Sequence, residues 1–174
     1  MFNTQIDTAK LKNMETKLNC KFGNDGVFVE MALDLHNYQE KLPPISGVSF
    51  GIYSGDLEKI RQLVEKVDPK WCKYFTEKTT IFCGFINKEP VSFCIIITTT
   101  ADSILSDDNI KIGGVACVGT VPEYRKRGIG LKMVDLATKY LKSLNCDIAY
   151  IHYTHLEKWY KKLSYETVAR FSII

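Results

Sequence analysis

Residues 117–130 read CVGTVPEYRKRGIG, and their types and spacing suit the binding of a phosphate group. Arg125 is followed by Gly128 and Gly130 in the pattern R-x-x-G-x-G, and helix-forming residues come next. A helix begins with unpaired backbone N–H groups and the positive end of its dipole, so its first turn attracts anions. Glycines let the backbone approach the anion, and arginines add charge-assisted hydrogen bonds. The stretch therefore predicts a phosphate-binding turn between a strand and a helix.

Two other phosphate-binding patterns do not fit this stretch. A P-loop requires Gly-Lys-Ser/Thr after a longer glycine spacing, which is absent. A dinucleotide fingerprint requires a third glycine at the position that Met133 occupies. A solvated basic turn that contains glycines by chance is the remaining alternative on these residues alone.

The composition limits the classes of protein and of partner. A length of 174 residues corresponds to about one domain, and 45% hydrophobic residues can fill one core. The net charge of +3 is mild, which argues against a nucleic-acid partner, so any basic function must be local. No signal peptide and no apolar run long enough for a membrane span are visible. We therefore expect a soluble, cytoplasmic protein.

The six cysteines form no C-x-x-C pair and no metal-ligand spacing with the three histidines. Most of them lie inside apolar runs, which favours small buried hydrophobic residues in a reducing compartment over a disulfide framework or a zinc site. We expect no metal.

Hydrophobic periodicity indicates mixed α/β structure. It predicts strands at 48–53, 79–86, 91–100, 112–121, 146–153 and 165–174, and helices at 57–67, after Gly130 and at 156–163. Residues 87–90 (NKEP) are typical of a hairpin turn between the second and third of these strands.

The sequence V-x-x-V-P-E-Y-R-K-R-G-I-G-L, which follows a strand, resembles the acetyl-CoA-binding motif R/Q-x-x-G-x-G/A of the GNAT superfamily of N-acetyltransferases. The run WYKKLSY resembles the second hallmark of that superfamily, with Tyr160 at its tyrosine position. The resemblance covers residues 47–174. It implies an α/β (α+β) domain, in which helices flank a mixed, mostly antiparallel sheet with a bulged central strand.

The segment of residues 1–46 is predicted to be a β-rich extension that belongs to the same domain. The resembling fold has two strands after its second-motif helix, whereas this chain has only one such pattern. The runs KLNCKF and VFVEMAL are therefore predicted to form a hairpin within residues 15–35 that joins or extends the same sheet, in cis or from a partner subunit.

The resemblance also implies the chemistry, which is transfer of an acetyl group from acetyl-CoA to a primary amine by direct attack on the thioester. Backbone groups would bind the pantetheine arm, the turn would hold the pyrophosphate, and two arginine side chains would assist. The backbone groups for the pantetheine arm are those of Val118, Gly119 and Thr120. The turn for the pyrophosphate consists of Lys126, Arg127, Gly128, Ile129, Gly130 and Leu131. The assisting side chains are those of Arg125 and Arg127.

Tyr160 is the candidate proton donor to the departing thiolate, and a packing aromatic residue is the alternative for it. Ser164 stands where the superfamily usually has glycine, and Tyr153-Thr154 stands where an asparagine is common. The serine at 164 affects the turn after the helix, and the Tyr153-Thr154 pair affects contact with the cofactor.

No general base is evident, because the run of residues 112–121 contains no carboxylate. His152, His155 and Glu123 are weak candidates, and Asp107 and Asp108 precede the strand at the end away from the presumed pyrophosphate.

Trp71 and Tyr74 are the candidate walls of the acceptor site, Phe75 is a further apolar residue there, and Asp68 is a candidate partner for the amine. A place in the core is the alternative for the aromatic residues.

The acceptor is expected to be a small-molecule or peptide amine, and the protein a monomer or a homodimer. A catalytically silent domain that binds or senses acyl-CoA is the alternative function, since it would keep residues 118–131 without needing Tyr160.

Overall fold

The computed structural model describes residues 5–99, 102–106 and 109–174. The helices and strands are β1 (Gln5–Ile6), α1 (Thr8–Leu18), β2 (Cys20–Phe22), β3 (Phe28–Asp34), β4 (Ser49–Ile52), α2 (Leu57–Glu65), β5 (Thr80–Ile86), β6 (Glu89–Ile97), β7 (Leu105–Ser106), β8 (Ile112–Thr120), α3 (Ile129–Ser143), β9 (Ile148–Thr154), α4 (Glu157–Lys161) and β10 (Glu166–Ile173). Two 3-10 helices cover Pro69–Tyr74 and Pro122–Tyr124.

Eight of these strands form one sheet in the order β2-β10-β3-β9-β8-β6-β5-β4, and β1 pairs separately with β7. Most of the pairs whose register is defined are antiparallel. The exception is β8 with β9, which run parallel from Ile112 beside Ile148 to Gly114 beside Tyr150. A mostly antiparallel sheet flanked by helices confirms the predicted fold class.

The chain forms two compact units, each with its own apolar core. The first unit takes its described residues from the ranges 1–38, 98–114 and 141–174, and the second from 39–97 and 115–140. The core cluster of the first unit consists of Met14, Ala32, Ile104, Leu105, Ile148 and Tyr150. In the second unit the buried core residues include Ile60, Val64, Phe75, Ile81, Cys83, Phe93 and Ile95. The predicted boundary between residues 46 and 47 stays a prediction.

The second unit follows the sequence pattern closely. Asp56 caps α2, because its carboxylate accepts a hydrogen bond from the backbone N–H of Glu58 at 2.9 Å. The β5–β6 turn consists of Asn87 and Lys88 alone, with left-handed φ values of 50° and 67°. Such two-residue turns match the twist of paired strands, so the strand already begins at Glu89, two residues earlier than predicted.

Strand β8 contains a backbone irregularity at Cys117, whose φ is 49°. A positive φ lies far from the negative φ values of a regular strand, so it interrupts the pleating. A residue with a Cβ adopts this conformation only at a cost in free energy. The irregularity lies in the strand for which the sequence predicts a bulge, and the bulge itself stays a prediction.

A helix, α1, occupies part of the segment predicted to be a strand from Lys17. It begins at an Asp7 cap, whose Oδ1 accepts from the N–H groups of Ala9 at 2.9 Å and Lys10 at 3.1 Å. It ends at Asn19, which has a φ of 49°. The sequence signals were the Asp-Thr start and the helical spacing of Leu11, Met14 and Leu18.

The predicted N-terminal hairpin is wrong, although both of its strands belong to the sheet in the same chain. Strands β2 and β3 pair with opposite edges of β10 rather than with each other. The loop between them crosses β10, where the N–H of Gly23 donates to the carbonyl of Arg170 at 3.0 Å. A Cβ on Gly26 would lie 2.3 Å from the backbone nitrogen of Phe171, so only glycine fits this crossing.

None of the helices in the described ranges is both long and apolar enough to cross a membrane. All six cysteines are free thiols.

Replacing Gly26 with alanine should lower the free energy of unfolding by about 1–3 kcal/mol, because the new Cβ clashes with the Phe171 backbone. Gly23→Ala is the matched control, since a Cβ there meets no atom within 4 Å. Urea unfolding followed by circular dichroism measures both variants. Equal stability of the two would contradict the crossing of β10.

Candidate functional site

The basic turn connects β8 to α3 within the second unit. After the 3-10 helix Pro122–Tyr124, Lys126 and Gly128 adopt left-handed φ values of 60° and 77°. Helix α3 begins at Ile129, and its first backbone hydrogen bond runs from Lys132 N–H to the Gly128 carbonyl at 3.0 Å. Helix geometry therefore leaves the N–H groups of residues 129–131 without partners inside the helix.

Glycine is required at position 128 by backbone conformation rather than by space. A Cβ there would meet only the Ile45 Cδ1 atom within 4 Å, at 3.8 Å. The φ of 77° is one that L side chains rarely adopt.

The two arginines of the turn are exposed and have different contacts. Arg125 Nε donates to the carbonyl of Thr120 at 2.9 Å, which ties its guanidinium to the end of β8. The guanidinium of Arg127 lies 5.5 Å from the centroid of the Tyr124 ring, a cation–π distance.

A buried hydroxyl fixes the end of β8. Ser92 Oγ donates to the carbonyl of Gly119 at 2.9 Å and lies 3.0 Å from Thr120 Oγ1. It also lies 3.2 Å from Met133 Sδ on α3. Ser92 was not predicted from the sequence, where its only signal is a hydroxyl within the apolar run VSFCIII.

The candidate acceptor segment separates into core and surface residues. Phe75 is fully buried and belongs to the core, and Trp71 is half-buried against the same cluster. Tyr74 is 51% exposed, with Lys73 Nζ 4.9 Å from its ring centroid. Asp68 accepts from the N–H of Lys70 at 2.9 Å and so caps the 3-10 helix that carries these aromatic residues.

The thiol of Cys117 is not suited to nucleophilic attack. Burial raises its pKa to about 12, and the negative charge of Asp68 adds to the effect. The thiolate is the reactive form of cysteine, so this side chain stays neutral near pH 7.

Tyr160 lies in the first unit on α4 and is 4% exposed. Its ring packs at right angles to Trp159, with centroids 4.8 Å apart, and lies 5.9 Å from the Tyr165 ring. Ser164 takes a φ of 69°, so the turn after α4 keeps the left-handed conformation that glycine usually supplies.

Helix α4 is fixed to β10 by Glu157. Its Oε1 accepts from Thr167 Oγ1 at 2.7 Å and from Arg170 Nη2 at 2.6 Å, and it pairs with Lys161 at 2.6 Å. Together these contacts lower the pKa of Glu157 to about 2, and the contact with Lys161 contributes most.

A buried carboxylate, which was not predicted from the sequence either, holds His152. Both oxygens of Glu30, which is 0% exposed, lie 3.1 Å from His152 Nδ1, and the Tyr153 N–H donates to Oε1 at 3.1 Å. The pairing register shifts beside Glu30 in both neighbouring strands, and Tyr153 has a φ of 52°. The signal was a carboxylate within the apolar run VFVEMAL.

His152 also lines an open cavity of the first unit. Its other lining residues include Lys10, Asn13, Lys17, Asp102 and Ser103. A role for His152 as the base stays a prediction.

The other candidates for the base gain no support from their surroundings. His155 is exposed and meets the edge of the Phe28 ring, and Glu123 is exposed in the 3-10 helix before the turn. Asp107 and Asp108 lie outside the described residues.

The cofactor residues predicted at 118–120 and 125–131, together with Trp71 and Tyr74, all belong to the second unit. Tyr160, His152 and His155 belong to the first. The roles of all these residues stay predictions.

Replacing Glu157 with glutamine should lower the free energy of unfolding by about 1 kcal/mol near pH 7, because a charged acceptor is lost. The depressed pKa means that the carboxylate stabilises the fold fully above pH 4.5 and loses this effect as the pH falls towards 2. Urea unfolding of both proteins from pH 7 to pH 2 should therefore show a difference that shrinks below pH 4.5. A difference that stays constant with pH would contradict this assignment.

The sequence pattern of the Acetyltransferase (GNAT) family matches residues 52–165. No match was found among curated proteins.

Three solved structures illustrate the similarity in fold. The glucosamine N-acetyltransferase region of a fungal multi-domain GH3 β-N-acetylglucosaminidase has 21% identity and a TM-score of 0.70, over 94% of this chain and 22% of that chain. A GCN5-related N-acetyltransferase from Kribbella flavida has 15% identity and a TM-score of 0.60, over 92% and 61% of the two chains. Another, from Sphaerobacter thermophilus, has 13% identity and a TM-score of 0.60, over 95% and 55%.

This chain spans less than two thirds of each of those three solved chains, and at these identities the likeness shows the fold alone. The family match is independent of the structural likeness, and it includes both β8 and the turn before α3. The chain belongs to the GNAT family of acetyltransferases.

Proposed function

We propose that this chain is an N-acetyltransferase that moves an acetyl group from acetyl-CoA to a primary amine by direct attack of the amine on the thioester. The observation that carries the proposal is the basic turn before α3, where Gly128 has a φ of 77° and three helix-start amides follow it. This turn lies within the residues that the family pattern matches.

The turn fits the pyrophosphate of CoA in charge and in shape. The N–H groups of Ile129, Gly130 and Leu131 begin a 15-residue helix, and a helix start attracts phosphate. Gly128 has no Cβ to hinder the approach of a ligand to these amides. Lys126 and Arg127 add positive charge at an exposed position, where they would pair with phosphate oxygens.

The end of β8 is proposed to bind the pantetheine arm through backbone groups of Val118, Gly119 and Thr120. The carbonyls of Gly119 and Thr120 already accept hydrogen bonds from Ser92 and Arg125. These bonds fix the strand, and a fixed N–H group can stabilise the oxyanion that forms on the thioester carbonyl.

The proposed reaction forms a C–N bond and breaks a C–S bond. The amine nitrogen attacks the thioester carbonyl carbon, the amine loses a proton and the departing thiolate gains one. Tyr160 is the proposed donor of that second proton, because a phenol is protonated at neutral pH.

Deprotonating a lysine-like amine at pH 7 costs about 4–5 kcal/mol, whereas an α-amine costs about 1 kcal/mol. Among the described residues no base is established, so we propose a weakly basic amine as the acceptor.

The acceptor is proposed to bind beside the 3-10 helix Pro69–Tyr74. Trp71 and the exposed Tyr74 supply apolar walls, and the carboxylate of Asp68 is suited to an ammonium group. The fungal region of similar fold is named a glucosamine N-acetyltransferase. An amino sugar is therefore a rational first acceptor to test.

The proposal is tested by incubating the protein with acetyl-CoA and a panel of amines, and by measuring the release of free CoA with a thiol reagent. The panel should contain glucosamine, peptides with free α-amines and lysine analogues. We expect amine-dependent release of CoA. Binding of acetyl-CoA without release in the presence of any amine would instead favour an acyl-CoA-binding domain.

Replacing Tyr160 with phenylalanine should lower kcat about 10²–10⁴-fold, the usual effect of losing a general acid. The Kd for acetyl-CoA should stay nearly unchanged, because the ring is kept. Steady-state kinetics and calorimetry measure the two effects. Trp159→Phe is the control, because it changes the neighbouring ring without removing a phenol. An unchanged kcat in Tyr160→Phe would assign this residue to packing.

Replacing Gly128 with valine should weaken the binding of CoA more than Arg127→Ala does. The valine combines a strained φ with a β-branched side chain beside the amides, whereas Arg127 is exposed and contributes a screened charge. Calorimetric Kd values for CoA decide between them. Equal and negligible effects would refute the assignment of the pyrophosphate to this turn.

A further inference from the structure

Residues 40–48, called the strap below, are attached to α3 by charged side chains that are almost completely buried. Lys132 is 2% exposed and Asp135 is 0% exposed. The carboxylate of Asp135 accepts from the Lys41 N–H at 3.0 Å and from the Leu42 N–H at 2.8 Å. The ammonium of Lys132 donates to the carboxylate of Glu40 and to the carbonyl of Leu42, and it lies 3.6 Å from Asp135 Oδ2.

A buried ionic network of this kind is costly to desolvate, and well-packed apolar side chains would attach the strap as strongly. The charged side chains add register, which means that they fix which residues of the strap lie against which residues of α3. Asp135 matches the strap only where two consecutive backbone N–H groups face it, and Lys132 only where a carbonyl and a carboxylate do. A slip of one residue would leave buried charges without these partners, which costs far more than an apolar mismatch.

The register fixes the position of Ile45 against the basic turn. Ile45 packs against the cluster of Val91, Val121 and Ile129. Its Cδ1 atom lies 3.8 Å from the position that a Cβ on Gly128 would take. The strap therefore packs against the apolar cluster that includes the first residue of α3, and it lies beside the left-handed glycine.

We propose that the strap is a positioning element for the cofactor turn. Lys132 and Asp135 set its register, and Ile45 holds Gly128 and Ile129 in the conformation that presents the three helix-start amides to a pyrophosphate. This inference rests on the proposed function, and it adds a set of residues outside the R-x-x-G-x-G motif on which CoA affinity depends.

The test compares Ile45→Ala and Asp135→Asn with a control on the same helix, Ala137→Gly. At about 3.6 residues per turn, Ala137 projects from the side of α3 opposite to Lys132 and Asp135. Its replacement destabilises the helix and lowers Tm by a few degrees without touching the strap. Calorimetry measures the Kd for CoA, and thermal unfolding measures Tm.

Ile45→Ala and Asp135→Asn should weaken the binding of CoA about 10- to 100-fold, the range expected from a misplaced binding group. Ala137→Gly should lower Tm and leave Kd unchanged, and Ile45→Val, which keeps most of the contact, should restore Kd. With the acceptor that the amine panel identifies, the KM for acetyl-CoA should rise while kcat stays constant.

Wild-type CoA affinity in both Ile45→Ala and Asp135→Asn would overturn the proposal, whatever their Tm. So would a Kd that follows Tm in all four variants, because the strap would then act through stability alone. If the wild-type protein itself fails to bind CoA, the proposed function fails, and the role of the strap fails with it.

Discussion

The first turn of a helix must leave backbone N–H groups without partners inside the helix. In the second unit, the contacts around the basic turn depend on the position at which α3 begins. At the start of α3 the preceding chain passes through two left-handed residues, Lys126 and Gly128, before regular helix begins. Lys126 raises the free energy of the backbone in this conformation, so surrounding contacts must hold it, whereas glycine adopts the conformation without such a cost. The hydrogen bond from Arg125 to Thr120 is a contact of this kind, and Ile45 lies next to Gly128 on the strap. The turn is a strained connection held from both sides, rather than a flexible basic loop.

Much of the second unit could be predicted from sequence because its determinants are local. The Asp56 cap, the periodicity of α2 and the left-handed pair Asn87-Lys88 are all encoded within a few residues of where they act. The N-terminal region was harder for a physical reason. Strands β2 and β3 look like a hairpin because a glycine-rich loop joins them, yet their hydrogen bonds go to β10. A local sequence pattern does not show which distant strand lies between two strands that are consecutive in the sequence.

The same distinction separates the parts of the candidate site. The residues of the turn were recognisable because arginine and glycines recur at short spacing before a helix. Ser92, Glu30 and Asp135 were not, because each acts through a partner that is distant in sequence, such as His152 for Glu30. A polar residue in an apolar run signals that some partner exists, but not which one. Buried polar groups are therefore the residues whose function sequence reasoning identifies last.

The position of β10 between β2 and β3 has a consequence for synthesis of the chain. The amide of Asn19 donates to the carbonyl of Ile174, 155 residues further on. On the ribosome, Val29, Met31 and Ala32 of β3 therefore remain without their β10 partners until residues 166–173 have emerged. The second unit needs only residues up to 140. Strand β3 is thus made before strands β4–β9 but is paired along both edges only after them, which exposes its apolar side chains to aggregation and to chaperones in the meantime.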